Sequence, residues 1–560
     1  MPSLARRHPS SALMVLGAYG SYALAAWCLI WPLLAAAHAD TGPAWLNSLI
    51  SDRRPLEVYQ EWWSNLTARL GVVAVGASLL LSLGWTRQQW ADHIYRKMVG
   101  PAGPEGLALA RIVASGVLLA SLLWEDLPSA AELPLSITHG HGLGIFIFGI
   151  PGLDAVRQSP LLLAALQNVS IGFALLALAG LATRTSLLLT GLSYMTCALV
   201  LRQFGNAYHT GLIPLYVVLV LAFTPCADTW SLDALRHRRR RAGFKAPDRY
   251  GWSQFALLLC IVVPYVEAGF SKLCNGGLTW WGADNMRNII FTDALNPMEF
   301  DFGALTYIRA APSWVFVTIG VFAVLGEAAM GLVFFSRSAK LIMPALMIGM
   351  HLGILLLQNI LFFDLIVLQC LIYGIMALAP AGSPWALPTL NVGQLPDTVK
   401  RWRQHLTTRP QSESALPSSP PRPLIALGCV LLFTWTFTIE FFPFTAMQMY
   451  SSARRGTNVT YYRVVVHEPD GTSRRGYPER WIPALSDSRY RFIIRDCFQP
   501  KYLNRCEAFV ERLGTLMNRE TQLASTIEVQ KREWDFQKQP QDPNFGRTTS
   551  SFRMDFPGGH

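Results

Sequence analysis

The feature that most constrains this chain is the return of long apolar runs. Stretches of about 18 or more residues with few charges recur many times, each long enough to cross a bilayer as a helix. In hydrocarbon the backbone polar groups must be satisfied within the segment, so such runs read as helices packed on one another. Charged residues make up 15% of the 560, against roughly a quarter in soluble domains. The expected fold class is an all-α polytopic membrane protein of about 11 transmembrane helices, with a small α+β extracytoplasmic C-terminal domain.

The spans are expected near 12–37, 68–85, 106–124, 160–181, 185–203, 209–225, 253–273, 313–335, 340–358, 360–380 and 424–444. The first run is longer than the core of a secretory signal, so it reads as a retained anchor despite its "AAAHAD" end. With Arg6 and Arg7 cytoplasmic, the inner connections hold the basic groups: Arg87, Arg96 and Lys97; Arg184; Arg236 to Arg241; Arg337 and Lys340; Lys400, Arg401 and Arg403. The outer connection 38–67 departs from the rule, with Arg53 and Arg54 in it and Arg69 close by. An odd number of spans puts the tail outside the cytoplasm. The net charge of +11 is therefore read as a topology signal, its densest block, "RHRRRR", directly following an apolar span. No nucleic-acid module is visible. The implied location is a membrane, with the C-terminal domain outside the cytoplasm.

The chain divides into N-terminal helices and loops (1–105), a membrane domain (106–380), a cytoplasmic Pro/Ser-rich linker (381–423, with "SALPSSPPRP"), a last helix (424–444) and a soluble tail (445–560). In the tail, "NVTYYRVVVHEPDGTSRRGY" reads as a hairpin, "RYRFIIRD" as a strand, "NRCEAFVERLGTLMNRE" as a helix and "TIEVQKREWDF" as the last strand, with a loose end from about 538. Seven of the nine cysteines lie in or beside apolar runs, without metal spacing. Cys497 and Cys506 sit in the tail, where a disulfide is open to them if the compartment is oxidising.

Ionisable residues inside spans are costly and mark function by default. His209 lies in "FGNAYHTGLIPLY", Lys272 in "YVEAGFSKLCNGGLTWWGADN", Glu327 in "AVLGEAAMG" and His351 in "IGMHLGILL". Each also has a plain reading. His209 and Lys272 are interfacial, with Lys272 snorkelling to headgroups, Glu327 and His351 form a structural pair, Trp280 and Trp281 belong to an aromatic belt, and His139 and His141 lie in a loop. If the groups instead share one outward cavity, Lys272 in its neutral form is a general base or nucleophile, and a histidine beside it serves a developing oxyanion.

At these residues the sequence resembles a known family. "GLALARIVASGVLL" near 106, "TPCADTWSLDAL" at 224–235, "AGFSKL" followed by Trp and Gly, and "MHLGILLLQNILFFDLIVL" match in order the membrane domain of vitamin K-dependent gamma-glutamyl carboxylase and its bacterial relatives. This is the HTTM (horizontally transferred transmembrane) domain. The resemblance implies that Lys272 is the catalytic base, with Ser271 replacing the first lysine of the family's pair. It implies His209 and His351 as further catalytic groups. Asn206, Trp280, Trp281 and Glu327 would be contacts for reduced vitamin K or menaquinol, with oxygen and carbon dioxide as co-substrates. In the family the base deprotonates the quinol, and attack by oxygen yields a strong alkoxide base. That base removes the gamma proton of a peptide glutamate, carbon dioxide traps the carbanion, and the quinone leaves as an epoxide. The expected partner is an exported glutamate-containing peptide or protein.

The tail after 445 does not visibly resemble the animal enzyme's large lumenal region and is shorter, and "FFPFTAMQMYSS" looks more like bacterial members, which implies a bacterial inner membrane with the C-terminal domain periplasmic or extracellular. An alternative is a non-catalytic membrane protein assisting maturation or export of a secreted peptide. A third reading, a transporter with a Glu327–His351 proton relay, lacks the internal repeat common in that class.

Overall fold

The computed structural model describes residues 9–39, 41–42, 56–83, 87–205, 210–236, 247–296, 301–380, 383–386, 422–454, 456–486, 489–521 and 525–556. His209, Asn206, the block 237–241 and most of the expected linker, from 387 to 421, lie outside them.

Among the described residues, eight helices are long and apolar enough to cross a membrane. The principal membrane-body helices are α1 (Ser11–His38), α2 (Leu56–Ser82), α3 (Pro104–Trp124), α4 (Pro160–Ala179), α5 (Thr183–Arg202), α6 (Leu212–Leu221), α7 (Pro247–Gly276), α8 (Ala283–Ala294), α9 (Ser313–Ala329), α10 (Arg337–Gln358), α11 (Phe363–Leu378) and α12 (Arg422–Thr436). Three of these, α6, α11 and α12, are shorter apolar helices. The amphipathic α8, after the tryptophan pair, is an element that apolar runs do not reveal.

Local chemistry sets many of the ends. Ser159 accepts from the Leu162 amide ahead of Pro160, and Gly180 closes α4 at φ +69°. Ser336 opens α10, and Asn359 ends it in the left-handed region. Pro264 lies inside α7 and Pro344 inside α10. Each removes a helical N–H and favours a bend. Gly269 lets α7 press on α9: a Cβ there would lie 2.4 Å from the Ala328 backbone nitrogen.

Buried cations pin the body together. Arg69, fully buried in α2, donates to the Trp435 carbonyl (2.8 Å), Ser271 Oγ (3.1 Å) and Asn275 Oδ1 (3.3 Å), and lies over the Trp435 ring. It therefore ties α2 to α7 and α12. At the end of the bundle away from the tail, Arg111 of α3 donates to the Cys226 and Trp230 carbonyls. Asp233 accepts from the Ala182 and Thr183 amides at the start of α5. The "LALARI" and "SLD" landmarks thus hold each other in place.

The tail is a four-stranded antiparallel sheet with helices on it. After the short β1 (Glu440–Phe441) and β2 (Phe444–Thr445), β3 (Asn458–His467), β4 (Ser473–Gly476), β5 (Thr526–Asp535) and β6 (Arg547–Asp555) pair in the order β4-β3-β5-β6. Val459, Tyr461, Val464 and Val466 of β3 face the core. Two helices, α13 (Tyr490–Asp496) and α14 (Leu503–Thr521), precede β5, and a Cys497–Cys506 disulfide links them.

Four expectations need correction. "RYRFIIRD" is the helix α13, because Tyr490, Ile493 and Ile494, at helical spacing, are the residues it buries. Within the stretch after 538, Arg547–Asp555 is not loose: it is β6, an edge strand whose exposed "RTTSS" needs no apolar alternation. The second helix begins at Leu56, not 68, its polar first turns extending the apolar stretch. The last one ends at Thr436, where β1 and β2 follow. Within the expected linker, Trp385 is fully buried, with its indole N–H on the Met98 carbonyl.

Candidate functional site

The last turns of α7 carry Tyr265, Ala268 and Lys272, spaced to share one helix face. That face lines a cavity of about 360 Å³ between α7, α8, α9 and α10. Lys272 Nζ donates to Glu327 Oε2 of α9 at 2.6 Å, and the two residues are 4% and 8% exposed. The close helix approach at Gly269 brings the pair together. Two charges in this setting lose much hydration, which only a short, well-oriented contact offsets. Nζ also lies 5.5 Å from the Trp280 ring centroid, within cation–π range. Trp280 is fixed by its indole N–H, which donates to the Tyr450 carbonyl at 2.7 Å.

On the opposite wall, His351 of α10 shares a 2.8 Å hydrogen bond between Nε2 and the Tyr265 hydroxyl, and its ring meets the edge of Phe362. Its Nδ1 has no hydrogen-bond partner among the described residues, nor does Oε1 of Gln358, two helical turns further along α10. Both residues line the cavity. Most of the remaining lining is aliphatic or thioether, and Met447, Met449 and Tyr450 of the tail close one side. Asn275 holds that tail segment by donating to Gln448 Oε1 and Ser451 Oγ.

Lys272, Glu327, His351 and Trp280 therefore converge on one cavity. Trp281 does not line it. It packs behind Gly320, where a Cβ would lie 2.9 Å from the Trp281 Cα. His209 and Asn206 lie outside the described residues. No hydrogen bond or ion pair among the described residues joins Glu327 to His351; the partner of Glu327 is Lys272. The sequence reading missed Tyr265, Gln358, Tyr450 and the anchor Arg69. Helical spacing from Lys272 back to Tyr265, and from His351 forward to Gln358, is the signal that would have found two of them. Tyr450 has no such signal, because it arrives from the tail.

A family profile described as the HTTM domain matches residues 101–376, close to the 106–380 expected from the motifs. No curated protein and no solved structure matches the chain. The matched segment runs from just ahead of α3 into α11 and contains the whole polar floor of the cavity. Residues 101–376, with Lys272, Glu327 and His351 among them, belong to the HTTM domain family.

Proposed function

We propose that this cavity binds a reduced quinone, vitamin K or menaquinol in type, and that Lys272 is the base of an oxygen-dependent modification of an exported peptide. The carrying observation is a buried lysine–carboxylate pair at the polar floor of an otherwise apolar chamber. The residues present fit the group. Aliphatic and aromatic walls suit a naphthalene ring, and the unpartnered His351 Nδ1 and Gln358 Oε1 suit its oxygens. When bound, the quinol supplies the reducing equivalents with which oxygen is activated.

The chain's own part is proton handling and exclusion of water. In its neutral form Lys272 is the base that takes a proton from a quinol hydroxyl. Glu327 keeps the amine oriented, and Tyr265 holds the His351 ring through Nε2 so that Nδ1 faces a ligand oxygen. Tyr450 and Trp280 keep the chamber closed on the tail side. By the resemblance, the reaction is gamma-carboxylation of glutamate.

The orientation belongs to the same proposal. Taking the three shorter apolar helices as crossings beside the eight long ones makes eleven, an odd number that would put the amino terminus in the cytoplasm and the tail outside. The Cys497–Cys506 disulfide supports that side for the tail. The second reading is a non-catalytic maturation partner, in which the short Lys272–Glu327 contact is only a structural clasp.

The test is incorporation of labelled carbon dioxide into glutamate peptides by the purified protein, with oxygen and a reduced naphthoquinone. Label that is lost in Lys272→Ala is the expected result. No label and no quinone epoxide from a folded, quinone-binding protein would leave the maturation-partner reading.

A further inference from the structure

The cavity has a wall that the described residues do not close. At one end α9 and α10 touch tightly: a Cβ on Gly326 would lie 3.0 Å from the Met347 methyl. Towards the other end they part. Thr318 and Phe322 of α9, one turn apart, line the cavity and are exposed, as is Gly349 of α10; Gly353 is partly exposed. A Cβ at either glycine would meet nothing within 4 Å. Leu325, Leu352 and Leu356, beside this seam, are between 45% and 52% exposed, an apolar rim suited to lipid on two membrane-crossing helices. On membrane-crossing helices, a rim of this kind suits the acyl chains of the bilayer. A chamber with unpartnered polar atoms on His351 and Gln358, and a slot lined by glycine and apolar side chains, matches a ligand with one polar head and one long apolar tail.

We propose that the α9–α10 seam, edged by Thr318 and Phe322 on one helix and Gly349 and Gly353 on the other, is a lateral entrance that admits the substrate from the bilayer and holds its tail. This rests on the reading of the cavity as a quinol site, and adds to it that the substrate is a long-tailed, membrane-dissolved quinol selected partly by that tail. The absence of side chains at Gly349 and Gly353 is the device that keeps the slot open.

The test uses the full chain in lipid nanodiscs and two probes with the same ring, 2-methyl-1,4-naphthoquinone without a tail and with a four-isoprene tail. Binding is measured for each at fixed quinone-to-lipid ratio. Two plugs come from opposite sides of the seam, Gly353→Leu and Thr318→Trp. The expected result is that each plug weakens binding of the tailed probe by about tenfold or more, corresponding to lost burial of a few methylenes, while the tail-less probe binds as to wild type. Tailed binding untouched by both plugs, or equal loss of both probes in both variants, overturns the entrance and leaves the head-group site standing. So does tail-independent affinity in the wild type. Failure of the wild type to bind either probe overturns the quinol reading, and the entrance with it.

Discussion

At the scale of residues, the account turns on a buried ion pair and a histidine with a free edge. Removing one partner of a buried pair strands the other charge and costs roughly 3–5 kcal/mol, whereas replacing both with apolar groups is often neutral or stabilising. Lys272→Met and Glu327→Gln should therefore each lower the thermal unfolding midpoint. The double variant Lys272→Met/Glu327→Leu should recover most of it and remain without activity. Inactivity with full stability separates chemistry from clasp. His351→Leu removes the unpartnered Nδ1 and should weaken naphthoquinone binding by about tenfold, the worth of one buried hydrogen bond, read in a direct binding assay. The charged residues of this site were legible because an ionisable group in an apolar run stands out. Their pairing was not: Glu327 sits in a different helix from both Lys272 and His351, and nothing in the spacing chooses between them.

At the scale of elements, two devices set where the site falls. Gly269 brings the backbones of α7 and α9 into contact. Gly269→Val should push them apart, costing about 1–3 kcal/mol as overpacking and abolishing activity, with circular dichroism still reporting a helical protein. Arg69 ties α2 and α12 to the stretch of α7 that carries Ser271 and Asn275. Arg69→Met should destabilise the detergent-solubilised protein by roughly 3–5 kcal/mol, although the residue lies outside the HTTM segment. The sequence reading took Arg69 for an exception on an outer flank. Its burial follows from the helix starting at Leu56, which sets it well inside the body. Helices with clean apolar runs were readable to within a few residues. The misses were the amphipathic α8, the helix α13 with its apolar residues in a short burst, and the polar edge strand β6, where apolar periodicity carries little information. In the tail, Cys497 and Cys506 should resist maleimide labelling until a reductant is added; labelling without reductant would remove the disulfide from the account.

At the scale of the whole molecule, a helical membrane body and the C-terminal sheet region share one chamber. The tail docks through Arg489, which clamps Glu125 at the end of α3 with its two terminal guanidinium nitrogens (2.9 and 2.6 Å). It also docks through Arg454, whose backbone N–H donates to Asn285 Oδ1 at 2.7 Å, and it supplies Tyr450 to the cavity wall. A mostly helical membrane body and a small C-terminal region with a sheet were legible from apolar runs and strand patterning. That the tail completes the cavity was not, because contacts more than a hundred residues apart leave no local trace. The central claim is that Lys272 acts as a base on a quinol bound here, and chemical rescue tests it most directly. Quinone epoxide formation is followed in reconstituted wild type and in Lys272→Ala, with small primary amines added over a range of concentration. The account predicts an inactive variant that still binds quinone, with activity rising with amine concentration. A variant that binds quinone and forms epoxide at the wild-type rate without amine would contradict it.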